Sequence, residues 1–414
     1  MLLGVGTVVC PAVAPAFAGD SIRGDQWHLD SMHAPELWNT SKGENITVAV
    51  IDGGFKLDHP DLAGQFLPGK DFSGGSGGVG SYVEGHGTGI SSLIAGTGRA
   101  NGGKGAYGLA PGAKILPLKI DTGAGGSVPD HDFLDQIGQA VTYAVEHGAK
   151  VINISLGTRA APVDAADVAN LNKILAWARA KGSLVVASVG NDAQVGNPVE
   201  YPGALPNVVG VGATDREGKA TDESESGPQV TLVAPGMDMI AACTGSTGYC
   251  KSHGTSDSAA LVSASAALVW SVHPEWTANQ ILRVLINTAG KPSGGSDRTD
   301  YLGYGAVRPR IALVTPGDPG PADKSPLSAD SAPPTAVPSP TVSASATPSS
   351  RPSPTETDVA VGAPPSQPKA DASSGSGGSV LPIVGGVVAG LVVVAGVVFV
   401  VVRRRKGAVY PPNP

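Results

Sequence analysis

KSHGTSDSAALVSASAALVW, residues 251–270, is the stretch that decides the fold, because its composition predicts a helix that is buried on every side. From about Ser258 the residues are nearly all small or aliphatic, which permits close packing around the whole circumference. Gly254 and Thr255 make a tight turn that leaves Ser256 at the mouth of this helix. The positive end of the helix dipole stabilises negative charge on or near that hydroxyl oxygen. We therefore predict a nucleophile at Ser256, with an ordinary helix N-cap as the alternative.

The surrounding sequence alternates short apolar runs with helical stretches. Two of these helical stretches, residues 131–147 and 163–181, are more than ten residues long. This alternation predicts an α/β fold with a mostly parallel sheet covered on both faces. Such sheets place functional residues at the carboxyl ends of their strands. The predicted strands lie within residues 46–52, 113–120, 150–157, 184–187, 207–214 and 229–236.

Three polar residues stand at informative positions in this pattern. Asp52 ends the strand ITVAVID, and Asn191 follows the strand in SLVVASVGND. His86 begins a helix after a glycine-rich loop. A serine hydroxyl needs a base to become a good nucleophile, and the base must be oriented by a third group. Asp52, His86 and Ser256 supply these three groups, while Asn191 and the backbone N–H of Ser256 would stabilise an oxyanion. Taken alone, Asp52 also fits a cap or turn acid.

Composition excludes several other classes of function. The net charge is −7 and the globular part has no long basic run, which argues against nucleic-acid binding. Asp121, Asp130 and Asp132 lack the spacing of a calcium-binding EF-hand loop, so we predict no metal and no cofactor. Three further histidines, His59, His131 and His253, are interpreted as solvated loop residues.

The two ends of the chain predict export and membrane anchoring. Residues 1–18 are apolar and end in Ala-Phe-Ala, which is typical of a signal peptide. The globular domain would cover 19–313. Residues 314–379 are rich in Pro, Ser, Thr, Ala and Gly and predict a disordered stalk. The uncharged run 380–402 predicts a single transmembrane helix.

A cluster of basic residues follows this run at once, so the tail 403–414 would be cytoplasmic and the domain extracellular. Once the signal peptide is removed, Cys243 and Cys250 are the remaining cysteines. An exported chain would pair them in a disulfide across a short flexible loop. Metal binding by these two residues is the alternative.

The strings AVIDGGF, GHGTGISSLIAG, NISLG, ASVGN and GTSDSAALVSASAALV resemble the subtilisin-like serine proteases over about residues 20–313. The resemblance implies their three-layer fold and protein or peptide substrates. It also implies Asp52 as the group that orients His86, His86 as base and then acid, Ser256 as nucleophile and Asn191 as oxyanion donor. The motif Ser155-Leu156-Gly157, together with Gly190, would bind an extended peptide, and its backbone would form one wall of the S1 pocket.

The whole layout resembles the mycosins, membrane-anchored subtilisin-like proteases associated with type VII secretion. This resemblance implies secretion-system proteins as substrates and a secretion membrane complex as a partner. A weakly active or inactive scaffold subunit of that complex is the alternative function. The chain departs from the family where it carries Asp257 after the serine and Ala260 in place of proline. We expect Asp257 to cap the helix and point away from the active site.

Overall fold

A seven-stranded sheet organises the described residues of this computed structural model, which are 21–123, 130–161, 163–292, 294 and 296–327. Its strands lie in the order β2-β3-β1-β4-β6-β8-β9, and every neighbouring pair is parallel. Two separate antiparallel pairs are formed by β5 with β7 and by β10 with β11. The strands are β1 (Thr47–Asp52), β2 (Lys70–Asp71), β3 (Lys114–Lys119), β4 (Val151–Ile154), β5 (Thr158–Arg159), β6 (Leu184–Ser188), β7 (Glu200–Tyr201), β8 (Val209–Thr214), β9 (Val230–Pro235), β10 (Met239–Ala242) and β11 (Tyr249–Ser252).

Helices cover both faces of the sheet, so the fold has three layers. Alternate residues of β1 enter two different cores, because side chains along a strand point to opposite faces. Val48 and Val50 pack with α4, α8 and α9, whereas Ala49 and Ile51 pack with α6 and α7. The predicted α/β class with a parallel sheet is confirmed. The helices are α1 (Ile22–Asp25), α2 (Trp27–Ser31), α3 (Ala34–Leu37), α4 (His86–Ala95), α5 (Ala100–Gly103), α6 (Asp130–Glu146), α7 (Ala165–Ala180), α8 (Thr255–Val272), α9 (Ala278–Asn287) and α10 (Pro309–Val314).

Helix α8 is the buried helix that the sequence predicted. It begins at Thr255, so Ser256 lies in its first turn, and every residue from Asp257 to Trp270 is buried. A chain of hydrogen bonds ties it to β4. The Ser263 hydroxyl donates to Asn153 Oδ1 (2.9 Å) and Asn153 Nδ2 donates to Ser155 Oγ (2.9 Å). The Ser155 hydroxyl in turn donates to the Ser256 carbonyl (2.9 Å), which fixes the first turn of α8 on the sheet.

The segment before β1 is more deeply packed than the sequence suggested. From their short length, residues 20–45 are predicted to wrap the domain as a surface segment, but Leu29 is fully buried and Leu37 nearly so in the same core as α8. The buried Gln26 side chain bridges two distant segments, because its amide donates to the carbonyls of Tyr107 (2.8 Å) and of Ile240 on β10 (3.1 Å). This segment is therefore part of the globular domain.

The predicted start of the stalk at residue 314 is wrong, because residues 315–327 lie against α9 and α7. Arg283 on α9 donates to the backbone carbonyls of Pro319 (2.6 Å) and Pro321 (3.1 Å). Asn279 Nδ2 donates to the Ala322 carbonyl (2.9 Å). A segment without large apolar residues can still be held when arginine and amide side chains satisfy its carbonyl groups. The domain extends at least to residue 327.

Other predictions concern segments outside the described residues. These are the signal peptide at 1–18, the rest of the stalk at 328–379, the transmembrane helix at 380–402 and the tail at 403–414. In the part of the chain that the structure describes, no helix has both the length and the apolar character needed to cross a membrane.

The hydrogen bond between Ser263 and Asn153 allows a test of how α8 is held. Ser263→Ala leaves the buried Asn153 Oδ1 without this donor, so we expect a loss of about 1–3 kcal/mol in unfolding free energy. Ser265→Ala is the matched control, because Ser265 is equally buried but donates to the Leu261 carbonyl of its own helix. Urea denaturation should show the larger loss for Ser263→Ala. Equal losses would contradict the proposed tie between α8 and β4.

Candidate active site

Asp52 and His86 form the most direct contact of the site. His86 Nδ1 lies 3.0 Å from Asp52 Oδ1 and 2.8 Å from Oδ2. The Asp52 side chain is 1% exposed and also accepts a hydrogen bond from the Gly53 amide (2.8 Å). An ionised carboxylate can only accept, so Nδ1 must carry a proton and Nε2 is left for a second partner.

Gly87 explains how the start of α4 comes so close to the end of β1. A Cβ atom at this position would lie 2.5 Å from the Gly54 carbonyl oxygen and 3.0 Å from Asp52 Cβ. Only glycine allows this approach without displacing the backbone. This close approach places the His86 imidazole against Asp52.

The charge environment of His86 favours the imidazolium. Desolvation of the ring opposes its charge and lowers its pKa, but the Asp52 carboxylate and its hydrogen bond act in the other direction. Asp257 and Glu84 add further negative potential. Together these acids outweigh desolvation and raise the pKa of His86 to about 9.

Ser256 is half-buried at the N-terminal end of α8, and α8 packs against α4. Its hydroxyl donates to the backbone carbonyl of Ser155 (3.0 Å). Between the described side chains of Ser256 and His86 there is no hydrogen bond. A rotation about the Cα–Cβ bond of Ser256 is therefore needed before its oxygen can donate to the imidazole.

Asn191 is positioned by the backbone that precedes Ser256. Its Oδ1 accepts from the Thr255 amide (2.8 Å) and the Thr255 hydroxyl (3.1 Å). Among the described residues Nδ2 has no acceptor, so it remains able to donate to a ligand. Gly254 makes this arrangement possible, because a Cβ there would lie 3.1–3.2 Å from the amide atoms of Asn191.

The expectation that Asp257 points away from the site is wrong. Its carboxylate is buried and accepts from the Ser252 hydroxyl on β11 (2.7 Å), and it makes no helix-capping bond. Asp257 and His86 line the same cavity of about 210 Å³, whose other walls include the cysteines of a disulfide. Burial raises the pKa of Asp257 to about 6, although the Ser252 hydrogen bond and His86 partly oppose this rise.

That disulfide joins Cys243 to Cys250 across the turn between β10 and β11. The turn is held from a second side by His59, whose Nε2 lies 2.9 Å from the Gly248 carbonyl oxygen. His59 is 2% exposed, so its interpretation as a solvated loop residue is wrong. The exposed His253 instead pairs with Glu223 (2.9 Å).

The predicted peptide-binding residues Ser155, Leu156, Gly157 and Gly190 follow directly from β4 and β6. These two strands are paired up to Ile154 and Ala187, so both segments leave the carboxyl edge of the sheet side by side, and the space between them is called the gap below. Sequence reasoning missed two carboxylates beside this gap, Glu200 and Glu225. Neither lies in a periodic pattern, and no sequence signal in the single chain distinguishes them from other loop acids.

Within the described ranges, no three His, Cys, Asp or Glu side chains are grouped closely enough to hold a metal ion. At the edge of the sheet, the Asp52 carboxylate orients the His86 imidazole. The Ser256 hydroxyl lies at a helix N-terminus, and the Asn191 amide lies beside the start of that helix.

Comparison with known proteins gives consistent results. The profile of the Subtilase family matches residues 43–306, which is more than half of the chain. Subtilisin Savinase from Lederbergia lenta is 33% identical over 291 residues, covering 69% of this chain and 97% of that protein.

Solved structures show a similar fold. MycP1 from Mycobacterium smegmatis has a TM-score of 0.63 at 28% identity, covering 78% of this chain and 90% of that one. The MycP3 protease from the type VII (ESX-3) secretion system has a TM-score of 0.60 at 28% identity, with 70% and 88% covered.

The raised pKa of His86 can be measured by an NMR titration of its imidazole, for which we expect a midpoint near 9. Asp257→Asn keeps the shape of the side chain but removes its charge, so the midpoint should move to lower pH. Glu217→Gln removes an exposed carboxylate from a turn and should leave the midpoint in place. An unchanged midpoint in Asp257→Asn would show that this carboxylate does not act on the imidazole.

Proposed function

The chain belongs to the subtilase family of serine proteases, and we propose that it cleaves extended peptide segments with Asp52, His86, Ser256 and Asn191 as its catalytic groups. The observation that carries this proposal is the contact of both Asp52 carboxylate oxygens with His86 Nδ1, beside the helix that begins with Ser256. A histidine held in this way has its other nitrogen free to exchange a proton with a hydroxyl.

In the proposed mechanism, Ser256 leaves the Ser155 carbonyl and donates to His86 Nε2. As the Ser256 oxygen attacks the substrate carbonyl, its proton passes to the imidazole, and the imidazolium is stabilised by Asp52. The new oxyanion accepts from Asn191 Nδ2 and from the Ser256 backbone N–H at the start of α8. His86 then gives its proton to the departing amine. Loss of the amine leaves an ester between the acyl part of the substrate and Ser256. A water molecule then gives a proton to His86 and attacks this ester, and His86 returns the proton to the Ser256 oxygen as the carboxylic acid product leaves.

The state of His86 sets the direction of the pH dependence. The base form of the imidazole is required for attack, and the pKa of His86 is raised to about 9. Hydrolysis by the free enzyme should therefore increase as the pH rises towards that value. Below it, most molecules hold the imidazolium, and the carboxylates of Asp52, Asp257 and Glu84 all favour that form.

The peptide would lie along the segments that follow β4 and β6. The exposed Gly157 offers a backbone edge without a side chain, and strand pairing to an extended peptide uses main-chain hydrogen bonds. Ser155 is held by its own hydrogen bonds to Ser256, so this edge and the nucleophile keep a fixed relation. The substrate carbonyl would be presented next to Ser256.

We further propose that the protease is exported, anchored by residues 380–402 with its catalytic domain outside the cell, and acts on proteins of a type VII secretion system. The sequence of the two ends supports anchoring, and likeness to MycP1 and MycP3 supports the link to secretion. A scaffold role in the secretion complex is the competing function.

Covalent labelling tests the catalytic proposal. We expect a fluorophosphonate probe to label the oxidised, folded chain at pH 9 and Ser256→Ala to abolish both labelling and peptide cleavage. Residual cleavage should be roughly 10⁶-fold below that of the unmodified chain, because the triad acts as a unit. Ser258→Ala is the control, since its buried hydroxyl donates to the Ala234 carbonyl. No labelling of a correctly folded chain would favour the scaffold.

Cell fractionation tests the anchor. The full chain should stay in the membrane pellet after carbonate extraction, because 23 uncharged residues can span the bilayer. A chain ending at residue 379 should be released while keeping its peptidase activity. Release of the full chain under the same conditions would contradict the predicted span.

A further inference from the structure

Two glutamates lie beside the gap between the predicted peptide-binding segments. Glu225 is fully buried, and neither oxygen of its carboxylate has a hydrogen-bond partner among the described residues. Glu200 is half-buried on β7, directly opposite Arg159 of β5. A buried carboxyl group without a donor is costly, so its persistence requires an explanation.

Each carboxylate lies against a glycine that borders the gap, in the place where any larger residue would put its side chain. A Cβ at Gly157 would lie 2.7 Å from Glu200 Oε2, and a Cβ at Gly190 would lie 2.4 Å from Glu225 Cδ. The backbone amide of Glu225 also donates to the Gly190 carbonyl (3.1 Å), which fixes it beside this glycine. The two acids are thus directed at the two walls of one gap.

The position of the gap indicates on which side of the cleaved bond these two acids would act. Gly157 lies two residues after Ser155, whose carbonyl accepts the Ser256 hydroxyl, and Gly190 directly precedes Asn191. The cavity on the other side, with Asp257, adjoins His86, which gives its proton to the departing amine. The gap therefore receives the residue on the acyl side, immediately before the cleaved bond.

The charges around the gap are predominantly negative. Asp192 adds a third carboxylate, and among the described residues Arg159 is the only cation that lowers the pKa of either glutamate. The Arg159 side chain is about half exposed and is already paired with Asp192. A cation that enters the gap would meet carboxylates whose negative charge is little neutralised by nearby cations.

The pKa values agree with this geometry. Burial and then the Glu200 carboxylate raise the pKa of Glu225 to about 8, against Arg159 and the Asp192 backbone amide, which is near the carboxylate without meeting hydrogen-bond geometry. Burial and then Asp192 raise the pKa of Glu200. A bound cation would lower both pKa values and ionise the pair.

We infer that Glu200 and Glu225 select a lysine or arginine side chain immediately before the cleaved bond. This inference rests on the proposed peptidase function. Glu200 is the contact for the cation, and Glu225 supplies the unpaired charge behind the wall at Gly190. A guanidinium or ammonium group is the kind of ligand that this negative charge fits.

Matched peptides test the inference. Arginine is compared with citrulline, and lysine with norleucine, at the residue before the cleaved bond. We expect kcat/KM to favour each cationic peptide by roughly tenfold or more, since the uncharged analogue leaves the acids unpaired. Equal values for the charged and uncharged peptides would overturn the inference.

Isosteric variants assign the effect to residues. Glu200→Gln and Glu225→Gln should each reduce the preference for arginine over citrulline several-fold. Glu217→Gln is the control for a loss of one exposed carboxylate. Thermal melting checks that each variant is folded, and the half-buried Glu200 provides a second variant should Glu225→Gln fail to fold. An unaltered preference in both variants would reject these residues.

A pH profile separates electrostatic selection from a structural role. The ratio of kcat/KM for arginine to that for citrulline should increase as the pH rises towards 8, because Glu225 ionises over that range. The other charged groups that act on the Glu225 carboxylate are Asp192, Arg159 and Glu200, and the Glu225→Gln variant keeps all three. In Glu225→Gln the ratio should vary less with pH. An identical pH dependence in the variant would contradict the role of Glu225.

Failure of the peptidase proposal would be recognised separately. If a fluorophosphonate labels the chain and citrulline peptides are cleaved as well as arginine peptides, only the inference on selectivity is overturned. If no peptide is cleaved and no label attaches, the inference is tested by calorimetry, which compares how tightly the folded chain binds peptides that end in arginine or in citrulline. Tighter binding of the arginine peptide by the folded chain supports a cation site, and equal binding overturns it.

Discussion

The burial of α8 from Asp257 to Trp270 is the constraint on which the rest of the structure depends. A helix surrounded by protein must satisfy its polar side chains internally, and each serine hydroxyl in α8 has a defined acceptor. Ser258 donates to the Ala234 carbonyl, Ser263 to Asn153 and Ser265 to its own helix. These bonds fix the rotation and depth of the helix. The position of Ser256 relative to β4 and β6 follows from them.

That placement brings an acid into the site as well as a nucleophile. Because α8 enters the core at Thr255, its third residue cannot turn to solvent, and Asp257 shares a cavity with His86. Its carboxylate holds the imidazolium more firmly than Asp52 alone would. A histidine with a higher pKa is a stronger base in the smaller fraction of molecules where it is unprotonated. The residue after the proposed nucleophile thus adds to the rise in the pKa of His86 that Asp52 causes.

Features determined by local pattern could be predicted from the sequence. Asp52 ends an apolar run and Asn191 closely follows another, so both indicate strand ends, and the spacing of Thr277 and Gln280 is that of the capping box found at the start of α9. Features determined by tertiary contacts could not. The side-chain direction of Asp257 depends on Ser252 of a distant hairpin. Residues 315–327 have no apolar pattern, because Arg283 and Asn279 hold their carbonyl groups.

Two titrating groups of the site, Glu225 and His86, affect stability in the same direction. The pKa of Glu225 is raised from 4.5 to about 8, so between these values the unfolded chain has lost a proton that the folded chain retains. Stability therefore falls as pH rises through that range and the full cost is present above it.

The pKa of His86 is raised from 6.5 to about 9, so its stabilising contribution is complete below 6.5 and is lost as pH rises through 9. The unprotonated imidazole that the proposed mechanism needs is therefore populated at a pH where Glu225 and His86 contribute least to the free energy of unfolding. Strain of this kind persists at functional sites when the surrounding structure can bear it. Here the buried α8, with its internal hydrogen bonds and its close fit to β4, β6 and β8, supplies that support.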